Sequence, residues 1–165
     1  MSTEILTQQQ LKELLDYNPN TGDFVNKIFR GLRAMPNEMA GNVSSGGYID
    51  ITIYKRKYKA HRLAWLYVNG VWPTNNIDHI NRIKTDNRIC NLRDVTQDQN
   101  GQNKTIHKNN TSGHTGVVWH KRSNRWRARI RLKGKDMYLG SFDGIQSAIN
   151  ARKQAEQQYY PFKVN

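Results

Sequence analysis

Only one cysteine, Cys90, occurs in the 165 residues. A lone thiol excludes an intramolecular disulfide and paired Cys-x-x-Cys zinc staples, so burial alone must stabilise the fold. Beside Ile89, Cys90 reads as a small buried hydrophobe. Long apolar runs are missing as well. Nothing approaches the roughly 18 consecutive apolar residues of a membrane span, and a mean hydropathy of −0.85 with 24% charged residues describes a polar chain. No membrane partner is expected. Met1 to Thr7 lacks the basic flank and apolar stretch of a secretory signal, which points to a protein that stays where it is made, in the cytoplasm. Acidic residues are scarce: 13 Asp and Glu face 26 Lys and Arg, a net charge of +13. The excess is uneven. Residues 1–60 carry 8 basic and 6 acidic side chains, residues 61–107 carry 6 and 4, and residues 108–165 carry 12 and 3, so +9 of the +13 lies in the last third. Such concentration is the footprint of a surface that follows phosphates, and two specialised parts are the simpler reading.

The pattern of turn residues and apolar periods predicts an α+β chain. Thr7 with Gln10 reads as a capping box opening a helix over 8–16, closed by Asn18-Pro19-Asn20-Thr21-Gly22. Phe24 to Phe29 suggests a strand or hairpin. From Tyr48 to Tyr54 the residues Ile49, Ile51 and Ile53 alternate with Asp50 and Thr52, a half-buried strand that Lys55-Arg56 turns back towards Lys57 to Ala60. His61 to Asn69 is a helix capped by Gly70. Ile77-Asp78-His79 is a strand, 80–88 a polar loop, and residues 96–104 a helix. Three parts follow: 1–104, a polar linker over 105–113, and 114–165. The last contains strands at Gly116 to Trp119, Arg125 to Leu132 and Lys135 to Leu139, a Lys133-Gly134 hairpin turn, and a helix from Gly144 to Tyr159 with Ile145, Ala148, Ile149, Ala151, Ala155 and Tyr159 near one face.

The run Asn76-Ile77-Asp78-His79-Ile80-Asn81, with Asn91 twelve residues beyond His79 and Asn100 nine further on, concentrates the chemistry. A hard divalent cation such as Mg²⁺ or Mn²⁺ takes oxygen ligands, which Asp78 and the Asn100 side-chain carbonyl supply, and a water nucleophile takes a base, which His79 supplies. The set suits metal-assisted attack on a phosphodiester. His61 reads as structural, beside the site. His107, His114 and His120 read as surface or phosphate contacts. Asn81 and Asn87 read as loop caps, with Asn87 the reserve partner for His79.

Residue by residue, His61-Arg62-Leu63-Ala64-Trp65, Asp78-His79-Ile80-Asn81, Asp86-Asn87-Arg88, Asn91-Leu92-Arg93-Asp94-Val95-Thr96 and Gln97 through Asn103 resemble the HNH endonucleases, in particular the homing type of phages and mobile introns. The resemblance implies a ββα-metal domain in which His79 ends a strand and acts as general base, Asn91 orients it, and Asp78 with Asn100 holds the cation. It also implies a site-specific DNA endonuclease, nicking or double-strand cutting, in a bacterial or phage-infected cell.

Along Arg125-Trp126-Arg127-Ala128-Arg129-Ile130-Arg131-Leu132 the arginines alternate with apolar residues. Strand side chains alternate between faces, so four guanidiniums share one side while Trp126, Ala128, Ile130 and Leu132 pack on a helix behind. Four like charges on one face make sense against a polyanion, and arginine can also fork onto a guanine edge. Gly116-Val117, Trp126 to Arg131, Tyr138-Leu139-Gly140-Ser141-Phe142-Asp143 and Ala148 to Ala155 resemble the AP2 DNA-binding domain, a three-stranded sheet plus helix. That likeness implies double-stranded DNA against Arg127, Arg129, Arg131 and Tyr138, with Lys121, Arg122 and Arg125 nearby, where the sequence departs from the plant pattern. No protein partner is implied. Two other readings stay open: a non-catalytic, sequence-specific DNA-binding regulator, and an RNA-binding protein that stacks single strands on Trp119 or Tyr138.

Overall fold

The structure is a computed structural model that describes residues 6–32, 34–102, 106 and 109–160. Parts of the expected 96–104 helix and 105–113 linker, His107 and the extreme N-terminus lie outside the described residues. The chain forms two compact units, Met1–Val95 and Thr96–Asn165, and the boundary falls ahead of the expected linker.

In the first unit, α1 (Gln8–Leu14) starts at the expected capping box: the Thr7 hydroxyl accepts from Gln10 N and the Gln10 amide accepts from Thr7 N. The helix ends earlier than expected. Leu15 turns to extended backbone and opens β1 (Leu15–Tyr17), which pairs antiparallel with β2 (Phe24–Asn26). Pairing lets the alternate residues Leu15 and Tyr17 be buried, a tertiary gain that outweighs the continuation of a short helix. A second sheet runs β3 (Asn42–Val43), β4 (Ile49–Ile53), β5 (Arg56–Lys59), all antiparallel. The β4–β5 turn sits on Tyr54 and Lys55, both at positive φ, so Arg56 already belongs to β5. Helix α2 (Ala60–Asn69) ends on Gly70 in the left-handed region, as expected.

Leu11, Leu15, Phe24, Ile51, Ile53, Leu63 and Leu66 are almost wholly buried in one core, with Trp65 and Trp72 partly buried against it. That core supports the two-stranded ribbon of β6 (Asn76–His79) and β7 (Leu92–Val95), whose Ile77 and Leu92 join it. Strand β7 was not anticipated from the sequence. A 3-10 turn over Ile89–Asn91 precedes it, burying Asn91 and leaving Cys90 exposed. The buried reading of Cys90 is therefore corrected: the tight turn aims the amide inward and the thiol outward.

The second unit opens with α3 (Gln97–Gln102), which carries Asn100. Beyond it, β8 (Val117–His120), β9 (Arg125–Leu132) and β10 (Lys135–Phe142) form an antiparallel sheet in the order β10-β9-β8, with α4 (Ile145–Tyr159) packed on one face. Lys133 and Gly134, both at positive φ, make the β9–β10 turn as expected. Val117, Ala128, Ala148 and Ile149 form the core. The buried stripe of α4 differs from the expected one. Arg152 and Glu156 are buried on it, and Tyr159 is exposed. Arg152 gives Nε to Glu156 (2.7 Å) and donates Nη1 to the Arg129 carbonyl, tying the helix to the central strand.

Candidate active site and basic sheet

The β6–β7 ladder sets the first unit's polar residues in place. Asp78 lies opposite Arg93 and His79 opposite Leu92. Ahead of β6, the Asp94 carboxylate accepts from the Thr74 and Asn75 amides at 2.8 and 2.9 Å, which fixes the entry of the strand. His79 ends β6, as the resemblance implies.

His79 is 5% exposed. Its Nε2 lies 3.2 Å from Oδ1 of Asn87, and its ring packs edge-on to His61 (centroids 5.0 Å) and against Tyr48 (5.9 Å). Against the amide oxygen, the Nε2-protonated tautomer makes this bond and the basic lone pair falls on Nδ1. Burial lowers the His79 pKa; the Asn87 bond and the Asp78 and Asp86 charges oppose that effect without reversing it. The ring is thus an uncharged base at neutral pH.

Asn87, the reserve candidate, is the amide on the ring. Asn91, expected there, acts one step further out. Its Nδ2 donates to Asn81 Oδ1 (3.0 Å) and to the Asp86 carbonyl (2.8 Å), and its Oδ1 accepts from Asn81 N (2.9 Å). These bonds brace the 80–87 loop that presents Asn87. Asp86, held at a pKa of about 2 chiefly by its hydrogen bond from Arg88, accepts from the Asn81 amide (2.6 Å) and closes the same loop.

Asn87 is also held from a distance in sequence. Tyr17 of β1 donates its phenol to the Asn87 carbonyl at 2.7 Å, and burial, the largest effect, pushes that phenol to about 12, so it remains a donor. Gly22 (φ +82°) packs on the Asn87–Arg88 backbone so closely that a Cβ there would collide with it. Neither contact follows from spacing. The only sequence signal was the Asn-Pro-Asn-Thr-Gly turn.

His61 sits near the start of α2, 7% exposed, and its buried Nδ1 has no hydrogen-bond partner. Burial first, then the charges of His79, Arg62 and Lys59, lower its pKa from 6.5 to about 3. It is a neutral ring packed edge-on against His79, consistent with a structural role.

Asp78 meets a residue that sequence reasoning passed over. Arg93 donates Nε (2.9 Å) and Nη2 (2.6 Å) to the same Asp78 oxygen, Oδ2, with the two side chains only 11% and 19% exposed. Among the described residues no three His, Cys, Asp or Glu side chains gather to hold a metal by themselves. A single carboxylate is a hard, sparse donor of the kind that suits an ion retaining several waters. The Asp78 carboxylate is the hard oxygen donor such an ion takes, and Arg93 is its present counter-ion.

The second unit's sheet presents the basic face. Arg125, Arg129 and Arg131 are exposed, Arg127 is half-buried with its Nε lacking a hydrogen-bond partner, and Ala128 and Ile130 are buried behind. Tyr138 is opposite Arg129, and Lys121 and Arg122 occupy an exposed turn after β8. Two carboxylates temper the charge: Asp136 pairs with Arg129 (3.0 Å) and Asp143 with Arg125 (2.9 Å). At these exposures such pairs contribute little and remain exchangeable. His120 accepts from Ser123 N through Nδ1, capping that turn, in keeping with a surface role.

The HNH endonuclease family matches residues 58–102, the span from β5 to α3 that contains Asp78, His79, Asn87, Asn91 and Asn100. Over most of a relative's length the match extends further: the chain is 31% identical over 117 residues to Protein 3.8 of Escherichia phage T7, covering 67% of this chain and 97% of that one. This chain belongs to the HNH endonuclease family. Among solved structures it is similar to one titled "DNA binding and cleavage by the HNH homing endonuclease I-HmuI", at 19% identity and a TM-score of 0.44, covering 87% of this chain and 82% of that one. No helix among the described residues is long and apolar enough to cross a membrane.

Proposed function

We propose that the chain is a site-specific, homing-type DNA endonuclease in which His79 is the general base for hydrolysis of a phosphodiester. The observation that carries the reading is a buried imidazole, kept uncharged by its surroundings and gripped by Asn87, one residue from the carboxylate of Asp78 in a family of nucleases. Asp78 and Asn100 would hold one divalent cation, Mg²⁺ or Mn²⁺, which when bound stabilises the charge gathering on the phosphate and leaving oxygen. His79 takes the proton of the attacking water, and Asn91 acts by holding the loop that carries Asn87. The arginine face of β9, with Tyr138, Lys121 and Arg122, binds duplex DNA, its guanidiniums on phosphates and base edges. In this assignment the sheet plus helix works as an AP2-like module.

Incubation with supercoiled plasmid tests the proposal. Conversion to open circle or linear DNA with Mg²⁺ and none with chelator is the expected result. His79→Ala should lower the rate by at least a hundredfold while leaving the gel shift intact. Plasmid that stays supercoiled under every cation, together with a gel shift, would leave only a non-catalytic DNA-binding regulator.

A further inference from the structure

The proposed cation ligand already carries a cation of the protein's own. Arg93 Nε and Nη2 donate to Oδ2 of Asp78, across a register pair of the β6–β7 ribbon where neither side chain is more than one-fifth exposed. A guanidinium stays charged at any working pH, so the pair is electrically neutral and Arg93 opposes a divalent ion approaching the same carboxylate. A phosphodiester is the other anion that a planar fork fits, and DNA brings phosphodiesters to this site. Resting on the assignment of Asp78 as a cation ligand, we infer that Arg93 is an exchangeable counter-ion that couples metal binding to DNA binding. Without DNA it occupies Asp78 and keeps the cation affinity low. When a phosphate arrives, the guanidinium moves its fork to the phosphate, Asp78 becomes available to the cation, and each ligand strengthens the other by the same factor. The free protein is therefore metal-poor, and the site assembles on its substrate. Arg93 acts here as a positioning residue, through the carboxylate it holds and releases.

The test is calorimetric and does not read cleavage. Mn²⁺ is titrated into the full chain carrying His79→Ala, so that DNA survives, with and without a saturating short duplex of mixed sequence, the heat of Mn²⁺ on duplex alone being subtracted. The duplex should tighten Mn²⁺ binding at least fivefold. Adding Arg93→Met should tighten Mn²⁺ binding at least tenfold without DNA and shrink the duplex effect below twofold. Arg93→Lys, which keeps the charge but cannot fork, should fall between and serves if the methionine variant does not fold. Unchanged or weaker Mn²⁺ binding in Arg93→Met, or in Arg93→Lys where that variant stands in, would overturn the inference. Asp78→Asn separates the two levels: if it binds Mn²⁺ as tightly as its parent, the ligand assignment itself fails, whatever Arg93 does.

Discussion

Replacing His61 by phenylalanine should remove most of the protein's sensitivity to mild acid. The imidazole is held near 3 in the fold against an ordinary 6.5, so the unfolded chain takes the proton first. A base whose folded pKa is depressed contributes full stability above its unfolded pKa, and that stability drains away as pH falls from about 6.5 towards 3. Between pH 7 and pH 5 the loss from this one ring is about 2 kcal/mol, and the ceiling below pH 3 is about 5 kcal/mol. Phenylalanine keeps the edge-on ring contacts with Tyr48 and His79, centroids 5.2 and 5.0 Å away, and discards the buried Nδ1 that has no partner. At pH 7 the variant should be at least as stable as the natural protein. Between pH 7 and pH 5 it should lose less than half as much, the remainder coming from His79, whose pKa is lowered in the same direction. Urea titrations at both pH values, read on the methyl resonances of Ile51 and Ile53 so that the first unit reports on itself, give the two differences. Equal losses in the two proteins would show that His61 is not the buried neutral base described here.

The cleavage rate should rise with pH through a single limb centred below 6.5, because the working His79 is the deprotonated one and burial lowers its pKa; single-turnover rates from pH 5 to 8 measure it, and a limb above 6.5 contradicts a desolvated base. Gly22→Ala, far from His79 in sequence, should destabilise the first unit by about 2 kcal/mol or more through its left-handed backbone and its collision with residues 87 and 88, and should slow cleavage about tenfold by displacing Asn87. Thermal melts and plasmid nicking check both parts, and a variant with natural kinetics would detach the Tyr17–Gly22 region from the site. Arg129→Ala should weaken duplex binding and reduce the slope of log affinity against log salt by about one, measured by fluorescence anisotropy over a range of ionic strength; an unchanged slope would take Arg129 off the DNA.

Much of this protein was legible along the chain because the signals were local. Capping at Thr7, the Ile49-Ile51-Ile53 alternation, the Gly70 stop, the Lys133-Gly134 turn and the arginine alternation of β9 all rest on backbone geometry or strand period, which a few neighbouring residues settle. The Asp78-His79 pair and its trailing asparagines likewise pointed to the proposed chemistry. Tertiary structure decided which groups meet the His79 ring and the Asp78 carboxylate. Asn91 and Asn87 are both plausible partners for an imidazole by spacing. Asn87 has the place because Tyr17 and Gly22, some seventy residues earlier, pin its backbone, while Asn91 is spent bracing Asn81 and Asp86. Arg93 faces Asp78 only because β7, invisible as a strand in the sequence, pairs in that register. Leu15 leaves its helix for the same kind of reason. Spacing along the chain states which residues are present, but hydrogen-bond partners and charge neighbours are set by long-range pairing that no single segment encodes.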